Sequence, residues 1–221
     1  KVLYRWTVTA DSKGDIGWMK VVFDMSGNVN ASYVGTNVSH TVGCSGSTLL
    51  CAATSTEATG MWMGVYMSTG TDKGGVQLIA TSSMKIYDVG ANTQLTATTT
   101  ATGWTVYQAS GLAKISFVAD AEQIVAAGET KTYELRGTLL QGGATGDVLQ
   151  TKLADRGVSA TTTAYLISVV NSVPTSATLH SFIWTDRSGA AATAGHSSVT
   201  ADWTHDYQVS GIPTGTLSLS R

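Results

Sequence analysis

Charged side chains are scarce in this chain. Lys, Arg, Asp and Glu together make up 13% of the 221 residues, against about 25% in ordinary soluble domains, and threonine alone outnumbers them. The formal net charge is −2, so the chain has no excess of basic residues with which to bind phosphate-rich surfaces. We therefore expect neither nucleic acid nor an anionic membrane surface among its partners.

Long apolar runs and amphipathic helical stripes are lacking as well. No apolar run approaches the ~18 residues that a membrane-spanning helix needs, so we expect no membrane insertion of this segment. Proline is limited to Pro174 and Pro213, and short apolar/polar alternations are separated by Gly, Ser, Asn and Asp. This pattern is typical of an all-β protein built from antiparallel strands.

The strand period is clearest in two N-terminal segments. In the first, period two places four apolar side chains on one face: Val2, Tyr4, Trp6 and Val8. In the second, after an Asp/Gly-rich turn, the same period places one apolar set on one face: Met19, Val21, Phe23 and Met25. It assigns the alternate residues to the opposite face: Trp18, Lys20, Val22 and Asp24.

The predicted fold class is all-β, an antiparallel β-sandwich of Ig-like or jelly-roll-like type. We expect one domain over residues 1–221, with an insertion at about 27–80, where the strand pattern loosens, and a C-terminal extension at about 211–221. The Met-rich residues 61–67 fit either a central strand buried on both faces or an adaptable contact surface. Two stretches, 119–127 and 147–155, favour single helical turns. Because Lys1 already lies inside a strand pattern, we expect a processed form or a segment of a longer protein.

Two cysteines, Cys44 and Cys51, lie in the predicted insertion across a Gly/Ser loop. Their spacing predicts an intrachain disulfide, which would stabilise the fold by about 2.5 kcal/mol in the chain-entropy model. The alternative is two buried thiols in a reducing compartment. Asn30 and Asn37 begin N-x-S triplets and are candidate glycosylation sites. These features favour an oxidising, extracellular or cell-surface location.

Two groups of polar residues are candidate metal sites. The first is a C-terminal group: His196, Asp202, His205 and Asp206. Adjacent residues of a strand point to opposite faces, which weakens it as a ligand set. Asp11 and Asp15 would suit a calcium ion together with backbone carbonyls, but a lysine lies between them. We expect these residues to organise turns instead, with no metal and no other cofactor.

Catalytic motifs are also lacking. The GCSGS segment lacks the glycine spacing of a nucleophile elbow, and the fifteen acidic residues are spread over loops. We therefore expect a protein that is not an enzyme. The six tryptophans fit either core packing or stacking on sugars, and the sequence leaves both interpretations open.

The last third of the chain carries the most specific pattern, an F-I-W-T-D run followed by a Ser/His turn and a D-W-T-x-x-Y-x-V-x-G-I-P segment. The pattern falls on these positions: Phe182–Asp186, His196, Ser197, Asp202–Thr204, Tyr207, Val209 and Gly211–Pro213. It resembles a segment that recurs in large surface proteins of uncultivated, small-genome candidate-phyla bacteria, and residues 3–27 and 115–139 are similar to strand pairs of the same proteins. The resemblance implies a secreted, Thr-rich β-sandwich and no particular chemistry.

The predicted function is that of a structural subunit in an extracellular homopolymeric assembly, a fibre, filament or surface layer made of copies of this chain. Few charges are present to keep strand edges apart. After Pro213, a short strand with Leu217 and Leu219 on one side either folds back on its own domain or adds to a neighbour's sheet, and we predict the second. The alternative function is a glycan-binding or adhesive module of a larger cell-surface protein, with surface glycans as its partner.

Overall fold

The chain folds into antiparallel β-sheets, and no helix occurs in the residues that the structure describes. The structure is a computed structural model. It describes residues 1–28, 50–51, 60–64, 75–80, 83–97, 104–109, 112–138, 148–154, 161–164, 181–187, 203–206 and 208–220. Within these ranges, no helix has the length and hydropathy needed to cross a membrane.

The described strands are, in chain order, β1 (Val2–Thr9), β2 (Ile16–Asn28), β3 (Leu50–Cys51), β4 (Gly60–Gly64), β5 (Gly75–Ala80), β6 (Lys85–Asp88), β7 (Thr93–Leu95), β8 (Trp104–Ala109), β9 (Leu112–Val125), β10 (Thr130–Arg136), β11 (Val148–Leu153), β12 (Thr161–Ala164), β13 (Phe182–Thr185), β14 (Trp203–His205) and β15 (Leu217–Ser220).

These strands form two large sheets and one small one. The first large sheet has four strands in the order β1-β10-β6-β7. The second has nine: the path β12-β14-β13-β2-β9-β8-β3, with β11 attached beside β2 and β15 attached to β11. Among the described strands, β4 and β5 pair only with each other. They lie in the stretch that the sequence assigns to an insertion, and the insertion itself stays a prediction.

β2 is the central strand of the larger sheet. One of its edges pairs with β9 along most of its length. Its other edge is shared, because β13 pairs with the first half of β2 and β11 pairs with the second half. The long alternating segment that the sequence indicates is therefore hydrogen-bonded on both sides, and it holds the larger sheet together.

The two large sheets share one hydrophobic core. Tyr133 and Leu135 of β10 belong to the same buried cluster as Phe23 of β2 and Phe117 of β9. Apolar side chains are most stable where they are removed from water, so a sheet with one apolar face is stable only when another element covers that face. The inward alternation of β1 and β10 provides such a face on the smaller sheet.

Two expectations for β2 are wrong. Trp18 does not lie on the face opposite Val21 and Phe23, because all three side chains lie in the same core cluster. Met19, which the alternation places with Val21, is half-buried and outside that cluster. The register of β2 against β13 shifts between Trp18 and Lys20, so β2 has one extra residue at Met19. A β-bulge of this kind reverses the alternation of side chains along the strand, and it turns Trp18 into the core.

The two predicted helical turns are also wrong, because both stretches lie in strands. Residues 119–125 complete β9, where Val125 pairs with Ile16 and Gln123 with Trp18 of β2. Residues 148–153 form β11, which lies between β2 and β15. Strand partners distant in sequence satisfy these backbone groups, and they outweigh the weak local preference for a helix.

Candidate functional site

β1 forms an open edge of the four-stranded sheet. It pairs with β10 on one side, and no described strand pairs with it on the other. The Ala10 N–H donates to the Glu129 carbonyl at 3.0 Å. This bond identifies which residues of β1 direct their backbone N–H and C=O groups towards β10. Every second residue back from Ala10 directs its backbone groups towards β10, so Arg5, Thr7 and Thr9 direct theirs away from it. These outward N–H and C=O groups have no partner among the described residues.

A groove of 650 Å³ runs along this open edge. One wall is β1 from Tyr4 to Thr9, and the opposite wall is the segment 208–214. Leu153, Phe182 and Trp184 complete the lining with apolar surface. We call this feature the edge groove. Its volume lies within the range of about 300–1,000 Å³ that is usual for ligand sites.

Trp6 lies where the edge groove meets the core. Its ring stacks on Tyr133 with centroids 5.6 Å apart, and it meets Phe23 edge to face at 5.3 Å. The indole N–H of Trp6 is buried and has no hydrogen-bond partner in the part of the chain that the structure describes. Buried donors are normally paired. The Trp6 N–H is therefore a hydrogen-bond donor beside the groove that no described residue satisfies.

The C-terminal segment is attached to β1 at one end of the groove. The Tyr4 hydroxyl is hydrogen-bonded to the Thr214 hydroxyl and to the Gly215 carbonyl, the latter at 2.9 Å. The backbone N–H of Leu153 donates to Thr214 Oγ1 at 2.9 Å. This small network connects β1, β11 and the start of the tail.

The first residue of the open edge, Arg5, is held on the outer face of the sheet. The Glu134 carboxylate accepts hydrogen bonds from Arg5 Nε and Arg136 Nε, each at 2.8 Å. Burial raises the pKa of Glu134, but the two guanidinium groups outweigh it and hold that pKa below its ordinary value. The Arg136 guanidinium also lies 4.1 Å over the Tyr87 ring. The Arg5 guanidinium is therefore already paired with a carboxylate, which it shares with Arg136.

A buried charged pair lies in the larger sheet. Lys20 is 2% exposed and Asp206 is 1% exposed. The Asp206 carboxylate accepts the backbone N–H groups of Ser181 at 3.0 Å and Phe182 at 2.6 Å. Burial lowers the pKa of Lys20 from 10.5 to about 8, and the negative charge of Asp206 partly opposes this shift. Asp206 therefore connects the end of β14 to the start of β13 and also stabilises the Lys20 cation.

The low pKa of Lys20 predicts that the protein becomes more stable as the pH rises, by about 2 kcal/mol between about pH 8 and pH 10. In the folded chain Lys20 loses its proton near pH 8, whereas the unfolded chain keeps it to about 10.5. The unfolded state then binds more protons, so the free energy of unfolding rises with pH. Burial raises the pKa of Tyr133 to about 12, and its ionisation opposes this trend only above about pH 10.

Urea unfolding across this pH range measures the effect. Lys20→Met is expected to abolish the rise, and Lys85→Met, at an exposed position, is expected to keep it. An equal rise in both variants would show that Lys20 does not cause it.

The described carboxylates of the candidate metal sites accept hydrogen bonds from backbone N–H groups. Asp11 Oδ1 accepts the N–H of Lys13 at 3.0 Å, and Asp15 Oδ1 accepts the N–H of Ala127 at 2.9 Å. Asp206 accepts two backbone N–H groups, as described above. In the described ranges, no group of three or more His, Cys, Asp or Glu side chains is placed to hold a metal ion.

Several residues singled out from the sequence lie outside the described ranges. These are His196, Asp202, Asn30, Asn37 and Cys44. Cys51 and His205 are described only as backbone, in β3 and β14. The predicted disulfide, the glycosylation sites and the C-terminal metal group therefore stay predictions.

Leu217 and Leu219 lie in β15, which pairs with β11 of the same chain. This pairing is the fold-back arrangement that the sequence analysis offered as the alternative to pairing with a neighbour. Leu219 packs against the core, and Leu217 is 39% exposed. Among the described strands, β15 pairs only with β11, so its second edge is open.

Comparisons with known proteins identify no relative of this chain. No family model matches the chain, and neither a curated protein nor a solved structure is similar to it.

Sequence reasoning missed the edge groove and the role of Tyr4. The alternation of β1 correctly places Tyr4, Trp6 and Val8 in the core. It is wrong for Val2, which is half-buried outside the core cluster while Leu3 lies in it, because the register of β1 shifts between Val2 and Tyr4. It contains no signal for which edge of β1 is open, because that depends on the order of strands in the sheet. A hydroxyl on an otherwise apolar face was the one local hint that Tyr4 has a polar partner.

Proposed function

We propose that this chain is a structural subunit of an extracellular homopolymeric assembly, a fibre, filament or surface layer. The observation that carries the proposal is the open edge of β1, with the outward backbone groups of Arg5, Thr7 and Thr9. Unpaired strand edges are templates for pairing with another chain, and proteins that stay monomeric protect them with charges, prolines or bulges. Thr7 and Thr9 provide no such charge, and the charge of Arg5 is paired with Glu134.

Two different edges favour an open-ended assembly over a closed dimer. β1 belongs to the smaller sheet and β15 to the larger one, and the two edges differ in length and side chains. A contact between unlike surfaces leaves the joined pair with one unused surface of each kind, so addition continues unless the rotation closes a ring. We also propose that the two sheets are the layers of an antiparallel β-sandwich of Ig-like or jelly-roll-like type, which their shared core supports.

Point substitutions at matched exposed positions test the assembly. Leu217 and Ile124 are the large apolar side chains that are exposed in the described residues, at 39% and 41%. Leu217→Lys is expected to reduce the assembled size, because a charge on an edge strand opposes association. Ile124→Lys adds the same charge elsewhere and is expected to leave assembly unchanged.

Light scattering of both variants and of the unchanged chain measures the size, and electron microscopy shows whether the particles are ordered. If the unchanged chain stays monomeric at high concentration, the proposed function is wrong. If both lysine variants assemble as the unchanged chain does, Leu217 is not part of the contact. Point variants are sharper here than deletion of residues 214–221, which would also remove the Thr214 hydroxyl from Tyr4.

The extracellular part of the proposal predicts that Cys44 and Cys51 form a disulfide. Mass measurement after alkylation, with and without prior reduction, counts the free thiols. We expect no alkylation of the native protein and two alkylated thiols after reduction. Two free thiols in the native protein would remove the main support for an oxidising compartment.

The second candidate function is glycan binding or adhesion, as a module of a larger cell-surface protein. The observation that favours it is the half-buried Trp184 in the edge groove, beside polar residues of the segment 208–214 such as Gln208 and Ser210. An aromatic face with nearby hydrogen-bonding groups suits a sugar ring. Saturable sugar binding by a monomer, lost in Trp184→Ala, would favour this function over assembly.

A further inference from the structure

The open edge of β1 requires an extended partner. Along Arg5–Thr9, three residues direct an N–H and a C=O into the edge groove at every second position. Only a strand-like backbone presents donors and acceptors at this two-residue spacing, which is the basis of recognition by strand addition. A compact ligand would satisfy at most part of this row.

The opposite wall does not already fill this role. The segment 208–214 faces β1 across the groove, but among the described residues its hydrogen bond to β1 is that of Thr214 with the Tyr4 hydroxyl, at the end of the groove. Apolar side chains from the larger sheet, Leu153, Phe182 and Trp184, lie in the same groove. An added strand would therefore pair with β1 on one side and place alternate side chains against this apolar surface.

We propose that the edge groove binds the C-terminal strand, residues 214–221, of a second copy of this chain. This inference rests on the proposed function and names the segment that joins two subunits. The tail has the required alternation, with Leu217 and Leu219 on one side and small hydroxyl side chains between them. Five residues, Thr216–Ser220, match the five residues from Arg5 to Thr9.

Four register pairs join the tail to β11 of its own chain, Thr214 is hydrogen-bonded to Tyr4 and Leu153, and Leu219 packs against the core. Residues 215–218 are nevertheless exposed. Leu217 is 39% exposed where it lies, so transfer to a neighbour's groove would bury apolar surface that the fold-back position leaves in water. The transfer would replace the four-pair ladder with β11 by a ladder of similar length along β1 of the neighbour.

Charge complementarity supports the same occupant and sets its direction. The tail carries a single charged side chain, the Arg221 cation. The groove has Asp11 beyond the C-terminal end of β1 and Arg5 near its start. Attraction to Asp11 favours an added strand that runs parallel to β1, and parallel pairs form regular hydrogen-bond ladders.

The test uses the full chain and a fluorescent peptide with the sequence of residues 214–221. Thr7→Pro removes one outward N–H and places a ring at the open edge, without removing a bond to β10. Thr7→Ala is the matched control, because it keeps the N–H. We expect saturable binding to the unchanged chain and to Thr7→Ala, and at least about tenfold weaker binding to Thr7→Pro.

A second proline at an outward position, Thr9→Pro, gives an independent measurement should Thr7→Pro fold poorly, and urea unfolding of each variant checks the fold. If the peptide binds equally well to the proline and alanine variants, the edge groove is not the acceptor of the tail. That result would not contradict the assembly of the unchanged chain. Assembly of the full-length Thr7→Pro chain to its usual size likewise shows that the groove is not the acceptor. If the chain binds the peptide in the groove but stays monomeric, a second copy is not the natural occupant of the groove. The proposed function is then wrong as well.

Discussion

Replacing Asp206 with alanine is expected to lower the free energy of unfolding by about 3–5 kcal/mol, because it breaks a buried charged pair from one side. The substitution removes the acceptor for the N–H groups of Ser181 and Phe182. It also leaves the buried Lys20 cation without the charge that stabilises it. In addition, Asp206 has a φ of 54°, a left-handed conformation that aspartate and asparagine tolerate better than alanine does.

Three comparisons separate these causes. Asp206→Asn keeps one acceptor oxygen and the backbone preference but removes the charge, so an intermediate loss is expected. Adding Lys20→Met to Asp206→Asn is expected to recover part of that loss, because no buried cation then remains. Asp120→Ala, at an exposed position, is expected to change stability by less than about 0.5 kcal/mol. Urea unfolding measures all four variants, and an Asp206→Ala loss no larger than that of Asp120→Ala would contradict the assigned role.

The N-terminal strand shows what the sequence can predict. The alternation of Tyr4, Trp6 and Val8 is local, and the structure places all three in the core. The all-β class follows from the same period in several segments. Alternation depends only on neighbouring residues, so tertiary contacts are not needed to recognise it.

The errors come from contacts that are distant in sequence. Trp18 was assigned to the wrong face because the bulge at Met19 is defined by the register against β13, more than 160 residues away in sequence. The stretches 119–127 and 147–155 were assigned to helical turns because their strand partners cannot be recognised locally. Three-dimensional pairing decides both features, and no local propensity contains that information.

The candidate site depends even more on tertiary structure. The edge groove exists because β1, the first strand of the chain, ends up at the border of its sheet. The segment 208–214 then closes the groove from the other end of the chain. The sequence did indicate the strand with Leu217 and Leu219, since its alternation is local. It predicted pairing with a neighbour, and the structure shows pairing with β11, so exchange of this strand between copies stays a prediction.

The edge groove and the tail together explain why low charge matters in this chain. A strand edge is normally protected by lysine or by a covering element, and β1 has neither on its outward side apart from the paired Arg5. Assembly through such an edge does not need a large apolar patch, because backbone hydrogen bonds supply affinity and alternate side chains supply register. The same groove with a half-buried tryptophan is the reason that glycan binding remains the second candidate.

Replacing Trp18 with alanine is expected to lower the free energy of unfolding by about 3–5 kcal/mol, the usual loss for a fully buried tryptophan. The Trp18 ring is 0% exposed and joins the two sheets. Its centroid lies 5.1 Å from that of Tyr133 in the smaller sheet and 5.8 Å from that of Phe182 in the larger one. Alanine would leave a cavity between the sheets that the surrounding side chains fill only in part.

The matched control is Trp104→Ala. Trp104 is half-buried and meets Phe117 with centroids 4.8 Å apart, within a single sheet, so its loss is expected to be about half that of Trp18. Spectrophotometric titration gives a second, local measurement. Burial, the largest cause, raises the pKa of Tyr133 to about 12, and a hydrogen bond with Trp18 partly lowers it. Because burial is the larger effect, water admitted by Trp18→Ala is expected to bring that pKa down towards its ordinary value, whereas Trp104→Ala leaves it unchanged. Equal losses of stability in the two variants, with the Tyr133 pKa unmoved, would show that Trp18 does not connect the sheets.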